Sequence, residues 1–226
     1  SDLDVLASGQ DSSNLSQVRT YINNGNGTMS PTSIEIDGLN GGIYDGVLAW
    51  GDYDNDGDLD ILASGADVAN AKQLRVYLNN ANGTFDPNQI EVDGLNGGLY
   101  SASGGWGDFD NDGDLDILVN GLDSSSAKQF RVYKNNGNGT FDGAQIDVDG
   151  LGGGLYSGSP AWGDFDNDGD LDILANGLDT SSGKQLRVYK NNGNATFDTT
   201  QIEVESLNGG LSGGTCAWGD FDADGD

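Results

Sequence analysis

Three observations predict an all-β array of four repeated units in this chain. The stretch Trp-Gly-Asp-(Tyr/Phe)-Asp-(Asn/Ala)-Asp-Gly-Asp occurs four times, with tryptophans at Trp50, Trp106, Trp162 and Trp218, so the period is 56 residues. Other landmarks keep that phase: Arg19, Arg75, Arg131 and Arg187; Tyr21, Tyr77, Tyr133 and Tyr189; Ile34, Ile90, Ile146 and Ile202. Short alternating apolar runs separated by Asn- and Gly-rich turns replace any helical periodicity. Four periods account for all but two of the 226 residues, without a linker or a shift in composition. A single repeat domain over residues 1–226 follows, each unit burying its apolar face against its neighbours.

The elements of one unit follow in order. Leu59–Ala63 alternates, which puts Leu59, Ile61 and Ala63 on one face of a first strand. Gln73–Leu78 alternates polar with apolar as a second strand. Asn79-Asn80-Ala81-Asn82-Gly83-Thr84 reads as a turn, because Asn and Gly accept positive φ at little cost. Gln89–Val92 is a third strand, and a fourth covers about Ser103 to Asp108. Four short strands per repeat of this length make one propeller blade. The predicted fold is therefore a β-propeller of four 56-residue, four-stranded blades. Trp50 and its equivalents are expected between blades, with a solvent-facing stacking platform as the alternative.

Each unit also carries a ladder of carboxylates around one glycine. In the first complete copy Asp52, Asp54 and Asp56 stand at positions 1, 3 and 5, Gly57 at 6, Asp58 at 7 and Asp60 at 9. Alternate residues of a tight loop direct oxygens at one centre, which suits a hard cation seeking six to eight oxygen ligands. Gly57 permits the sharp turn, the Asp58 carbonyl contributes without its side chain, and Asp60 closes the shell from the next strand. The equivalents are Asp108, Asp110, Asp112, Asp114 and Asp116, then Asp164, Asp166, Asp168, Asp170 and Asp172. Position 12 is Ala63, Val119 or Ala175, so the bidentate Glu of a helix-flanked calcium loop is missing and strands flank the site instead. Magnesium, which prefers a rigid octahedron and retained waters, is disfavoured.

A fourth loop is divided between the ends of the sequence. Asp220, Asp222 and Asp224 supply its first half, with Asp226 or Asp2 at position 7 and Asp4 at position 9. One blade is thus expected to be split between the N- and C-termini. A ring closing within one chain, a head-to-tail polymer, and a piece cut from a longer array all accommodate this register.

The run Ala49–Leu62, followed by Arg75-Val76-Tyr77-Leu78-Asn79-Asn80-Ala81-Asn82-Gly83-Thr84-Phe85, resembles the FG-GAP/VCBS repeat family over the whole chain. The resemblance implies blades of a calcium-binding β-propeller, as in the integrin α-subunit head and many secreted bacterial proteins. Four repeats stand here, where family propellers commonly have seven blades.

The formal net charge is -28, from 37 acidic and 9 basic residues, and more than half of the acids lie in the loops. Such a chain repels nucleic acid and anionic membranes, which makes both poor partners. No apolar run is long enough to span a bilayer. There is no histidine, so imidazole acid–base chemistry is excluded, and nearly every carboxylate belongs to a repeated position; an enzyme is not expected. The single Cys216 takes the place of Leu48, Gly104 and Pro160 and reads as a small packing residue. Four Asn-x-Thr sequons, at Asn26, Asn82, Asn138 and Asn194, lie on the turns and read either as turn chemistry or as glycan acceptors. The expectation is an extracellular, non-catalytic calcium-binding module for structure and adhesion. Its partners would be further copies of itself or, in a closed ring, a glycan or cell-surface protein.

Overall fold

The computed structural model describes residues 2–36, 42–92, 98–148, 154–204 and 209–223. All of their regular structure is β. No helix among them is long and apolar enough to cross a membrane. The chain forms two compact units, Ser1–Tyr100 and Ser101–Asp226.

In the first unit β1 (Val5–Gln10), β2 (Ser16–Asn23) and β3 (Met29–Glu35) form a three-stranded antiparallel sheet. A four-stranded sheet follows, made in chain order from β4 (Leu48–Gly51), β5 (Asp60–Ala66), β6 (Lys72–Tyr77) and β7 (Ile90–Glu91). The second unit repeats this twice. One sheet holds β8 (Tyr100–Gly107), β9 (Asp116–Leu122), β10 (Lys128–Tyr133) and β11 (Ile146–Asp147); the other holds β12 (Pro160–Gly163), β13 (Asp172–Leu178), β14 (Lys184–Tyr189) and β15 (Ile202–Glu203). Each is an up-and-down meander, the strand order of a propeller blade.

Register repeats with the sequence. Gly51 faces Asp60 and Ala63 faces Arg75, which in turn faces Glu91. Every repeated arginine therefore meets an acid directly across the outer strand pair: Arg19 with Glu35 at 2.5 Å, Arg75 with Glu91 at 2.7 Å, Arg131 with Asp147 at 3.2 Å and Arg187 with Glu203 at 2.6 Å. The acids are half-exposed, so these pairs pin register more than they add stability.

The structure departs from the sequence expectation in two places. Leu59 is exposed, and β5 is buried along its whole length instead of on alternate residues. An inner strand of a stacked sheet is covered on both faces, so period-two burial is lost. The three-stranded first sheet is the second departure. Residues 216–219, which stand in phase with β12, form no strand, β1 is an edge strand of its sheet, and Leu3 and Val5 are exposed.

In the second unit the core lies between consecutive sheets. Phe109, Leu118, Phe130, Val132 and Val148 pack against Leu155, Ile173, Ala175 and Tyr189. The tryptophans seal this junction. A Cβ on Gly107 would sit 2.6 Å from the Trp162 indole, and one on Gly163 would overlap Trp218. Gly107 and Gly163 thus make room for the next repeat's indole. Trp218 Nε1 donates to the Ala161 carbonyl at 3.2 Å. Cys216 is half-buried and lies 2.9 Å from the Ser159 carbonyl, in keeping with a packing role.

Candidate metal-binding loops

Each acid ladder forms a tight loop wired by its own backbone. Asp52 accepts from Asp56 N at 3.0 Å and Gly57 N at 3.1 Å, and Asp56 accepts from Asp58 N at 2.9 Å. The same three bonds recur around Asp108 and Asp164. Two residues take left-handed conformations: Gly57 at φ 94° and, one residue not anticipated from sequence, Asn55 at φ 59°. Asparagine tolerates that region better than other non-glycine residues.

Position 9 is the anchor. Asp60 is buried and accepts from Tyr53 N at 2.9 Å and Asn79 N at 2.8 Å, which joins the loop to the turn after β6. Asp116 does the same with Phe109 N and Asn135 N, and Asp172 with Phe165 N and Asn191 N. The turn asparagine returns a bond from its side chain, Asn79 Nδ2 to the Leu59 carbonyl at 3.1 Å.

Positions 1, 3 and 9 converge. Asp52, Asp54 and Asp60 each offer an oxygen within 4.8 Å of the others, as do Asp108, Asp110 and Asp116, and Asp164, Asp166 and Asp172. These three groups could hold a metal ion. Position 5, at Asp56, Asp112 and Asp168, stays outside them and takes up the position-7 amide. Position-7 carboxylates point elsewhere. Asp114 lies against Gly137 and Asp170 against Gly193, where any Cβ would collide with the carboxylate. Asn111 Nδ2 reaches from one loop to the next, donating to Asp170 Oδ1 at 2.8 Å and to the Gly169 carbonyl at 3.2 Å.

In the divided loop, Asp4 makes the position-9 bond, accepting from Asn23 N at 2.7 Å, and Asn23 Nδ2 donates to the Leu3 carbonyl at 3.1 Å. Asp4 is exposed where Asp60 is buried, and Asp220 and Asp222 are exposed as well. None of the three belongs to a three-acid group among the described residues. Asp224 and Asp226 lie outside the described residues.

Crowding shows in the proton affinities. Burial raises Asp60 to about 6 and Asp116 to about 7, with the charges at positions 3 and 5 adding to the effect and the two amide bonds opposing it. Burial likewise raises Asp172 and Asp54. A carboxyl that holds its proton more tightly folded than unfolded costs stability as it ionises. Between pH 3.8 and 7 the metal-free chain is therefore expected to lose stability as pH rises. Asp11, Asp123 and Asp179, lowered below the ordinary value, act only below that window. Thermal melting in chelator at pH 4.5 and pH 7 checks this; equal or lower melting at pH 4.5 would contradict it.

Two features of the loops were missed in the sequence. Lys134 Nζ pairs with Asp110 and lies 3.2 Å from Asp112 Oδ2, and Lys190 Nζ pairs with Asp166 and lies 3.4 Å from Asp168 Oδ2. A basic residue at a repeat position held elsewhere by Ile22 and Leu78 was the available signal. Asp67 and its equivalents are the other. Asp67 caps the β5–β6 turn, accepting from Ala69 N, Ala71 N and Gln73 Nε2 at 2.8–2.9 Å. Their constant phase could have shown them, but an acid before a turn is common enough to pass unnoticed.

A profile of the FG-GAP-like repeat matches residues 1–63, 67–119 and 121–175. The chain belongs to the FG-GAP-like repeat family. No curated protein matches the sequence. Among solved structures, the FG-GAP-like chain is similar to a lectin of Agrocybe aegerita described as specifically recognising non-reducing terminal N-acetylglucosamine. Identity is 20%, the TM-score is 0.55, and the match covers 88% of this chain and 52% of the lectin chain. The FG-GAP-like chain thus spans about half the length of that lectin, and at this identity the likeness is one of fold.

Proposed function

We propose that this protein is a non-catalytic calcium-binding propeller that serves as a structural and adhesive element outside the cell. The observation that carries the reading is threefold repetition of one all-oxygen group, built from positions 1, 3 and 9 and held by one amide of its own loop and one of the hairpin turn. Calcium fits that donor set. The ligands are hard oxygens, the carboxylates repel one another, and Asp110 Oδ1 is buried without a hydrogen bond. Asp52, Asp54 and Asp60, with their two sets of equivalents, would hold the ion, which supplies charge neutralisation and cross-linking. Binding energy then adds to folding energy. Extracellular modules work at millimolar calcium, and one set of ligand positions repeated in three loops suits stiffness better than catalysis.

Self-association is part of the proposal. Among the described residues β1 is an edge strand, and Leu3, Val5 and Phe221 are exposed; both support it, since such an edge is a template for another chain. Light scattering in millimolar calcium and after chelation is the test. Assemblies that dissociate on chelation are expected. A 23.5 kDa particle under both conditions would overturn self-association. Chelation is also expected to lower the melting temperature by roughly 10 °C or more, several filled sites each contributing a few kcal/mol. An unchanged melting curve would remove calcium from the account.

A second reading is a glycan-binding propeller. It is favoured by the likeness of fold to the Agrocybe aegerita lectin. Binding to a glycan array by the calcium-loaded monomer would decide for it.

A further inference from the structure

The two lysines in the loops divide otherwise equivalent sites into two kinds. Lys134 and Lys190 follow β10 and β14 immediately, and each ammonium bridges the carboxylates at positions 3 and 5 of its own loop. Asp110 is only 14% exposed and Lys134 only 26%, so this pair is partly withdrawn from water. In the loop at 52–60 the corresponding residue is Leu78, which brings no charge. The backbone is the same in all three. Leu78, Lys134 and Lys190 carbonyls accept from Asp86 N, Asp142 N and Asp198 N, each at 2.8 Å. Leucine and lysine therefore exchange here as side chains, without a change of loop.

We propose that Lys134 and Lys190 are internal counter-cations that set an order of calcium loading: the Leu78 loop fills first and needs the ion to keep its form, and the two lysine loops hold their form on the ammonium and release it to calcium at higher concentration. The inference rests on the calcium reading above. Its physical content is competition. One positive charge already satisfies part of the repulsion at positions 3 and 5, so a metal ion must displace it and gains correspondingly less. The same charge stabilises the loop when calcium is withdrawn. Loading would then be spread over a range of calcium concentrations, with the lysine loops intact at its lower end.

Calorimetric calcium titration and melting in chelator, applied to the wild-type chain, Lys134→Leu/Lys190→Leu and Leu78→Lys, test this. Wild type is expected to show one tighter and two weaker events. The double leucine variant tightens the weaker events by about tenfold and melts lower in chelator. Leu78→Lys weakens the tight event by about tenfold and melts higher in chelator. Lys134→Gln, which removes the charge and keeps a polar side chain, moves both readouts in the same direction as Lys134→Leu, and guards against misfolding caused by the apolar exchange. Unchanged affinities and unchanged melting in all variants would overturn the proposal. No binding heat in any chain, with the melting shifts intact, would remove the calcium reading and the loading order with it, and leave the lysines as counter-cations alone.

Discussion

Asp116→Ala is expected to destabilise the chain in chelator by about 3 kcal/mol, a fall of roughly 10 °C in melting temperature, and by more in calcium, where a ligand is lost as well. Asp116 is fully buried, and its two oxygens accept from Phe109 N at 2.9 Å and Asn135 N at 2.8 Å. Alanine leaves both amides buried and unpaired, at about 1–3 kcal/mol each. Relief of repulsion from Asp110 and Asp112 offsets part of that loss. Asp54→Asn separates the two roles of the loop. Asp54 is exposed, and its charge is disfavoured by burial of the carboxylate and by Asp56. Its neutralisation should cost stability only in calcium and should be harmless or favourable in chelator. If Asp116→Ala proved silent in chelator, position 9 would be a metal ligand without a structural role, and the anchoring account would be wrong.

The second large effect follows from Phe109. It is fully buried, stacked on Phe197 at 5.3 Å between ring centroids and tilted against Trp162 at 6.0 Å. Phe109→Ala removes a whole aromatic ring from the junction of two sheets and is expected to cost about 3–5 kcal/mol. The same position in the following repeats is graded. Phe165 is 40% exposed, with Trp218 at 5.9 Å, and Phe221 is fully exposed. Phe165→Ala should therefore cost less than half as much and Phe221→Ala almost nothing. Denaturant unfolding of the three variants measures the series. The series refers to the dissociated chain in chelator; a Phe221→Ala loss there equal to that of Phe109→Ala would mean that this ring is covered within the single chain, against its full exposure.

The repeat made much of this legible. A constant 56-residue phase placed the loops and the hairpin turns, because each depends on local spacing that the sequence displays directly. The ladder also identified Asp52, Asp54 and Asp60 as neighbours. It set position 7 apart as a carbonyl donor but did not distinguish position 5, nor say where the position-7 carboxylate goes. Alternation says which residues lie on one side of a loop, not whether a carboxylate is taken up by an amide, as Asp56 is, or pressed against a turn glycine, as Asp114 is. Lys134 was illegible for another reason. It belongs to the strand side of the blade and reaches Asp110 across 24 positions of sequence, a contact made only once the sheet has formed. Leu59 reads as core because alternation implies two distinct faces, and stacking removes that distinction.

The seating of Trp162 and Trp218 on the preceding repeat's glycine gives the protein its own optical reporters. All four tryptophans are half-buried, and Trp162 and Trp218 each lie on the glycine of the repeat before. Their emission depends on whether that ledge is covered or wet. Variants retaining one tryptophan at a time would turn fluorescence into a junction-by-junction record, showing whether the sheets part together or one after another without any label being attached.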